Sequence, residues 1–167
     1  MRTFGHILFG ILLISASIFL ESYIPKNTKD RTVLNNFILG VDNSSTLSKK
    51  IQLDELNVEF EYDGIVEITK ITSDHYLYRG SLCKVSLLLI NDNLYAIQYY
   101  PKNDNRSEKY RNMLWTKYNV LDQNQNHFWF NCCIEIKYNE DDNNDKSFIH
   151  YDLNLLKKYP QYKDKIY

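Results

Sequence analysis

An apolar run near the N-terminus constrains the chain more than any other feature. Positions 4–20 contain no charged residue, and positions 7–14 read Ile-Leu-Phe-Gly-Ile-Leu-Leu-Ile. A surface helix of a soluble domain normally has a polar face, and this run has none. Counted through Ile24, the run is long enough to cross the apolar part of a bilayer. We therefore expect residues 4–24 to contact a membrane as an N-terminal apolar helix.

The sequence leaves two fates open for residues 1–24, a retained transmembrane anchor and a cleaved signal peptide. Ser15-Ala16-Ser17 has the small side chains of a cleavage site, but the apolar run continues for three residues beyond it. An anchor is therefore favoured, as a single pass with the C-terminal domain outside the cytoplasm. Cleavage would instead produce a secreted or periplasmic protein. Basic residues flank the run on both sides, so their count does not determine the orientation.

The rest of the chain has the length of one domain. Pro25 ends the apolar helix, residues 25–32 form a polar linker, and residues 33–167 form a single domain. The chain has 20 basic and 21 acidic residues, for a net charge of -1, and no basic stripe. Nucleic-acid binding is not expected, because it needs clustered Lys and Arg to neutralise phosphates.

Two β-hairpins are predicted in the first half of the domain. Residues 58–62 alternate apolar and acidic side chains, and the alternation resumes at 66–68. A three-residue loop at 63–65 would place the apolar side chains of both strands on one face. The second hairpin covers 82–100 and turns at 91–93. Its first strand is apolar on both faces, which predicts a central place in the sheet.

Helices and further strands complete the predicted domain. A short Ser-capped helix is expected after Ser45, and a longer one at 107–118, where Tyr110, Leu114 and Tyr118 repeat every four residues. Residues 128–138 alternate throughout and predict one long strand, followed by a last strand at 147–151 and a short helix. The fold class is α+β: an antiparallel sheet of about five or six strands with two or three helices packed on one face.

The long predicted strand supplies the candidate contact residues. Its core face would carry Phe128, Phe130 and Cys132. Its outer face would carry Trp129, Asn131 and Glu135, residue types that suit contact with another protein.

Three cysteines bear on redox and metal chemistry. If the domain is exported, Cys83 and Cys132 could form a disulfide, with Cys133 left over. No C-x-x-C spacing is present, so neither a metal nor a cofactor is expected.

A catalytic alternative uses a second set of residues. If the last hairpin turns symmetrically about Asp142 and Asn143, then Cys133, Glu135 and His150 share one sheet face. A Cys, a His and a carboxylate can form an activated thiol nucleophile. A register slip of one residue would separate them. This is the basis for a cysteine-dependent hydrolase as the alternative function.

Several segments together carry a family resemblance. They are Val85-Ser-Leu-Leu-Leu-Ile-Asn-Asp-Asn-Leu-Tyr-Ala-Ile-Gln-Tyr, Leu114-Trp-Thr-Lys-Tyr and Phe148-Ile-His-Tyr-Asp, with Leu39-Gly40 and Thr46-Leu47 upstream. This pattern resembles small exported bacterial domains of uncharacterised function. The resemblance implies a cell-envelope location and no assigned catalytic residues. We therefore expect a non-catalytic protein-binding module, of which an immunity protein against a secreted toxin is one concrete form.

Overall fold

A computed structural model describes residues 28–34, 36–51, 56–123, 126–140 and 145–167. The apolar N-terminal segment lies outside these ranges. Within them, no helix combines the length and the apolar character needed to span a membrane.

The described residues form short helices and many strands. In chain order these are α1 (Thr28–Arg31), β1 (Thr32–Val33), β2 (Phe37–Ile38), α2 (Ser44–Leu47), β3 (Asn57–Asp63), β4 (Val66–Tyr78), β5 (Ser81–Ile90), β6 (Asn93–Tyr100), α3 (Asp104–Lys117), β7 (Asn119–Gln123), β8 (Asn126–Phe130), β9 (Ile134–Glu140), β10 (Lys146–Asp152), α4 (Leu153–Lys158) and a 3-10 helix (Pro160–Ile166). The first two elements begin inside the segment predicted as a linker.

The main sheet is antiparallel and has eight strands in the order β3-β4-β5-β6-β10-β9-β8-β7. Strands β3 to β6 form one meander and β7 to β10 form another. Helix α3 connects the two meanders, and β6 pairs with β10 where they meet. The α+β class is confirmed. The expected five or six strands are too few, because the chain at 119–140 forms three strands where one was predicted.

Both faces of this sheet are covered, and β5 shows why. Val85, Leu87 and Leu89 point into one core, Leu88 and Ile90 point into another, and none of the five is exposed to solvent. The first core, on what we call the front face, includes residues from the 33–51 segment and α3. The second core, on the back face, includes residues from α4 and the 3-10 helix. The prediction of helices on one face is therefore wrong.

The β3–β4 hairpin has a shorter loop than predicted. Asp63 pairs with Val66, which leaves a two-residue loop of Gly64 and Ile65. Gly64 has a φ of 62°, a backbone conformation that glycine adopts without steric cost. The three-residue loop is therefore wrong, and β3 pairs one residue out of the expected register. Every residue of β3 is exposed, including Phe60 at 67%.

The β5–β6 hairpin turns where it was predicted. Asn91 and Asp92 form its loop with φ values of 47° and 56°, and Asn and Asp tolerate this left-handed conformation better than most residues. Strand β5 is interior and buried on both faces. The two central strands of the sheet are β6 and β10, and β5 lies next to β6.

Helix α3 confirms the predicted spacing. Tyr110 and Leu114 are buried against the front core. The helix begins earlier than predicted because Asn103 caps it, accepting a hydrogen bond from the backbone N–H of Arg106 at 3.0 Å. Asn43, rather than a serine, caps α2.

The predicted strand at 128–138 is broken by a turn. The Asn131 side-chain oxygen accepts hydrogen bonds from the backbone N–H groups of Cys133 and Ile134, at 2.7 and 2.8 Å, which stabilises the turn between β8 and β9. The alternation is also reversed before the turn. Trp129 is 0% exposed and Phe130 is 37% exposed, so the expected core and outer faces are wrong at this end.

A buried ion pair attaches the start of the described chain to the end of β10. Arg31 Nη1 lies 2.7 Å from Asp152 Oδ2. Asp152 also caps α4 through the backbone N–H groups of Asn154 and Leu155. Gly40, with a φ of 70°, lies directly against the pair. Arg31, at the end of α1, is therefore fixed to the end of β10.

Candidate functional site

A groove lined by tyrosines and cations opens on the front face, between β1, the β4–β5 turn and α3. Its larger part has a volume of about 560 Å³, and an adjoining smaller part shares Tyr78, Arg79 and Tyr110 with it. We call the two parts together the tyrosine groove. The remaining side chains that define its chemistry are Tyr99, Tyr118, Arg106, Lys109 and Lys117.

The charge of the tyrosine groove has one sign. Arg79, Arg106, Lys109 and Lys117 line it, and among the residues that the structure describes no Asp or Glu does. Cations that line one concave surface raise the local positive potential, even though the whole chain has a net charge of -1. The groove therefore suits an anionic ligand or an acidic segment of a partner.

The β4–β5 turn positions Arg79. Arg79 and Gly80 form a two-residue loop with φ values of 49° and 73°. The guanidinium carbon lies 5.5 Å from the centre of the Tyr78 ring, and Nη2 lies 3.3 Å from the sulfur of Met113 on α3. These contacts hold the guanidinium at the groove.

Lys117 occupies the other end of the groove. It belongs to the last turn of α3, where a cation is favoured by the helix dipole. Its ammonium nitrogen lies 5.1 Å from the centre of the Tyr118 ring. The helix dipole alone accounts for a lysine at this position, so the positive character of the groove comes from its four cations together.

A buried hydrogen bond lies beneath the groove. The Tyr110 hydroxyl and Nε2 of His150 are 2.7 Å apart, and Nδ1 of His150 is 3.3 Å from the carbonyl oxygen of Ile97. A carbonyl can only accept, so Nδ1 carries the proton and Nε2 accepts from Tyr110. Complete burial lowers the pKa of His150 to about 4. The imidazole is therefore neutral at physiological pH.

Three tyrosine hydroxyls of the groove, those of Tyr78, Tyr99 and Tyr110, stay protonated. Burial raises the pKa of Tyr78 and Tyr99, and raises that of Tyr110 well above its ordinary value. A protonated phenol can donate a hydrogen bond to an anion, whereas a phenolate cannot. The hydroxyls of Tyr78 and Tyr99 thus keep a proton and add no negative charge to a surface that already carries four cations, while the single Tyr110 hydroxyl proton is donated to His150.

The residues predicted to form an outer contact face lie elsewhere. Trp129 is in the front core, with its ring centre 6.1 Å from that of Phe148. The Asn131 side chain is used within its turn and in a 3.0 Å hydrogen bond to the carbonyl of Asp30. Glu135 is half-buried and forms a 2.7 Å ion pair with Lys163. The structure does not bring these three side chains together on one exposed face.

The two cysteines expected to form a disulfide have different surroundings. Cys83 is buried, donates to the carbonyl of Tyr76 at 3.2 Å, and has its pKa raised to about 11 by burial. Cys132 is exposed in the β8–β9 turn, not in the core as predicted. Both are free thiols. The sulfur of Cys132 lies 3.0 Å from the sulfur of Cys133.

The structure separates the residues of the proposed catalytic set. Lys146 pairs with Glu140, one residue away from the symmetric register, so Tyr151, and not His150, lies opposite Glu135. Adjacent strand residues point to opposite faces. Glu135 contacts Lys163 of the 3-10 helix, while both ring nitrogens of His150 are hydrogen-bonded to Tyr110 and Ile97. His150 therefore has no nitrogen free to activate the Cys133 thiol.

The second exposed surface of note is the edge strand β3. Its side chains at Val58, Phe60 and Tyr62 are 40%, 67% and 69% exposed, and Ile65 at the hairpin tip is 99% exposed. An exposed edge with apolar side chains can accept a further strand. Ion pairing of Glu61 with Lys165 covers part of its other side.

Sequence reasoning did not identify the tyrosine groove. Its residues come from separate stretches of the chain, and only Arg79-Gly80 has a local signal, as a turn. Nothing in the spacing of Tyr78, Tyr110 and Tyr118 indicates that they share a surface.

Comparison of the chain with known protein families, with curated proteins and with solved structures found no match. Among the described residues, no group of three or more His, Cys, Asp or Glu side chains is placed to hold a metal ion.

Proposed function

We propose that this chain is a non-catalytic, protein-binding module of the bacterial cell envelope that takes an acidic segment of a partner protein into the tyrosine groove. The observation that carries the proposal is the clustering of four cations, Arg79, Arg106, Lys109 and Lys117, around one groove that no carboxylate of the described ranges lines. Charge complementarity of this kind steers association and selects partners.

Tyrosine rings in the groove support a protein partner rather than a free ion. These tyrosines are largely buried and form a rigid aromatic floor beneath the cations, so a segment that lies on them meets a surface that is already ordered. Tyr78, Tyr99 and Tyr110 are already packed edge to face or tilted against one another, with ring centres 4.9–6.0 Å apart. They are ordered before a partner arrives, which lowers the entropic cost of association.

Attachment to the envelope is the second part of the proposal and depends on residues 4–24. An uncleaved anchor would place the domain close to the membrane, because Arg31 is already fixed to Asp152 and few residues separate it from Ile24. A partner would then be an envelope protein or a protein arriving from outside. An immunity protein that occupies an acidic surface of a secreted toxin is the concrete form of this second case.

The binding test uses the full-length protein in detergent and an oligo-aspartate peptide as probe. Titration calorimetry at low and at moderate salt should show binding that weakens as salt rises. The double variant Arg79→Asn with Lys117→Gln should bind the peptide about five-fold more weakly, since each exposed cation contributes about 0.2 to 1 kcal/mol. Asparagine is used at position 79 because it tolerates the left-handed backbone there.

Matched controls separate the groove from other surfaces. Lys157→Gln removes an exposed cation from α4 on the back face and should leave binding unchanged. Phe60→Ser removes an exposed apolar side chain from the edge strand and should also leave peptide binding unchanged. Equal losses in the groove variant and in Lys157→Gln, or a loss confined to Phe60→Ser, would contradict the groove assignment.

Fractionation of cells that express the tagged chain tests the location. A full-length, membrane-bound chain whose C-terminal domain is open to external protease supports an outward-facing anchor. A shortened soluble chain supports a cleaved signal. Protection of the domain from protease would place it in the cytoplasm and would contradict the envelope proposal.

A further inference from the structure

The turn between β8 and β9 brings two thiols together at the surface. The sulfurs of Cys132 and Cys133 are 3.0 Å apart, with Cys132 exposed and Cys133 half-buried. Neighbouring residues of a strand would point their sulfurs to opposite faces. In this turn the two side chains converge instead, so the pairing is a result of the turn and not of the sequence spacing.

The backbone of this turn is held from both sides. The backbone N–H of Asn131 donates to the carbonyl of Ile134 at 3.1 Å, and the Cys133 carbonyl accepts from the N–H of Leu153 at 2.9 Å. The Asn131 side chain adds its two hydrogen bonds within the turn and one to Asp30. The thiols are therefore attached to a fixed frame, which keeps their separation short.

We propose that Cys132 and Cys133 are a reversible modification site, at which thiol–disulfide exchange with a small-molecule disulfide forms a disulfide between the adjacent residues. An ordinary S–S bond is about 2.05 Å long, so the sulfurs need to approach by about 1 Å. Adjacent Cα atoms are about 3.8 Å apart across a trans peptide, which is less than the usual lower limit of about 4.4 Å for a disulfide. The bond is therefore strained, and strained exposed disulfides are readily reduced.

The exchange occurs in two balanced steps. The Cys132 thiolate attacks one sulfur of the small disulfide, forms a mixed disulfide and releases one thiolate. The Cys133 thiolate then attacks the sulfur of Cys132, forms the Cys132–Cys133 bond and releases the second thiolate. The protein loses two protons and two electrons, and the small disulfide is reduced to two thiols. Excess small-molecule thiol reverses both steps.

The third cysteine does not compete for this chemistry. Cys83 is buried and hydrogen-bonded to the Tyr76 carbonyl, and burial raises its pKa to about 11. The pKa of Cys132 is also raised to about 11, chiefly by its hydrogen bond with Cys133. Cys132 is nevertheless exposed, so it can lose its proton to solvent, and its reaction should accelerate as pH rises.

The test treats the folded full-length protein with oxidised glutathione, blocks remaining thiols after unfolding, and measures the masses of the intact chain and of the peptide that contains both residues. The peptide should lose the mass of two hydrogens, two of the three thiols should become resistant to alkylation, and reductant should restore them. Cys133→Ser should instead accumulate a glutathione adduct on Cys132, and Cys83→Ser should react like the unmodified chain.

Three results would overturn the site. They are a stable glutathione adduct in the unmodified chain, a bond that includes Cys83, and thiols that remain fully alkylatable after long exposure to oxidised glutathione. Tryptophan fluorescence, from Trp115 and the buried Trp129, recorded before and after the reaction shows that the domain is still folded. Because the assay needs no partner, its result is independent of the binding proposal.

Discussion

The hydroxyl of Tyr110 donates a hydrogen bond to Nε2 of His150 across 2.7 Å, in an environment that excludes water from both side chains. The bond joins α3 to β10, and burial keeps the imidazole neutral. It also lies beneath the tyrosine groove, because Tyr110 lines the groove above it. The stability of the domain should therefore depend on pH through a group that lies directly below the proposed binding surface.

We expect the domain to lose stability on acidification through His150. Its folded pKa of about 4 lies below the ordinary value of 6.5, so between these values the unfolded chain binds more protons and stability rises with pH. The contribution is complete above about pH 6.5 and is lost as pH falls toward about 4, with a size of about 3 kcal/mol. Urea unfolding at about pH 7 and about pH 5 should show about 2 kcal/mol of this loss, and the remainder appears as pH falls further toward about 4.

His150→Gln is the matched variant, because its amide oxygen can still accept from Tyr110 and does not titrate in this range. The difference in unfolding free energy between the two chains should shrink as pH falls. A difference that is constant across the range would show that His150 does not titrate as described.

Trp129→Ala should destabilise the domain strongly. The indole is fully buried and packs against Phe148, so its removal leaves a cavity and should lower the unfolding free energy by about 3 to 5 kcal/mol. Trp115, whose ring centre is 6.1 Å from that of Trp129, is 46% exposed, and Trp115→Ala should cost less. Thermal unfolding of both variants checks that Trp129→Ala is the more destabilising change. Equal losses of stability in the two variants would contradict this prediction.

Gly40→Ala should disturb the contact between Arg31 and Asp152. An added Cβ would lie 2.6 Å from Arg31 Nη1 and 2.7 Å from Asp152 Oδ2. The strain of a left-handed residue and the displaced ion pair together should cost at least about 2 kcal/mol. Chemical denaturation gives the value.

Gly64→Ala is the control for that substitution. Gly64 has a φ of 62°, close to that of Gly40, but no heavy atom lies within 4 Å of a Cβ added there. Only the backbone strain remains, at about 1 kcal/mol. A loss at Gly40 no larger than the loss at Gly64 would show that the ion pair adapts freely.

Arg79→Asn should leave the domain as stable as before, within about 0.5 kcal/mol. Arg79 has a φ of 49°, which asparagine tolerates and a β-branched residue does not. Arg79→Val should therefore cost about 1 to 2 kcal/mol more. Differential scanning calorimetry of the two variants tests this difference. The result also shows whether Arg79→Asn stays folded, as the binding experiment requires.

Local patterns in the sequence determined the parts of the fold that depend on neighbouring residues alone. The spacing of Tyr110 and Leu114 predicts one buried side of α3, and Asn91-Asp92 predicts a tight turn between two apolar strands; both are present. The burial of Leu88 and Leu89 on opposite faces also follows from an uninterrupted apolar run. In each case the physical cause acts within a few residues.

Only the tertiary structure decided strand register, strand number and the location of the sites. Alternation has a period of two, so residues 128–138 are compatible with one strand or with two strands and a turn, and the Asn131 hydrogen bonds select the turn. One residue of register then separates Glu135 from His150. The tyrosine groove requires β1, the β4–β5 turn and α3 to meet, and packing of distant segments is not encoded in any short pattern.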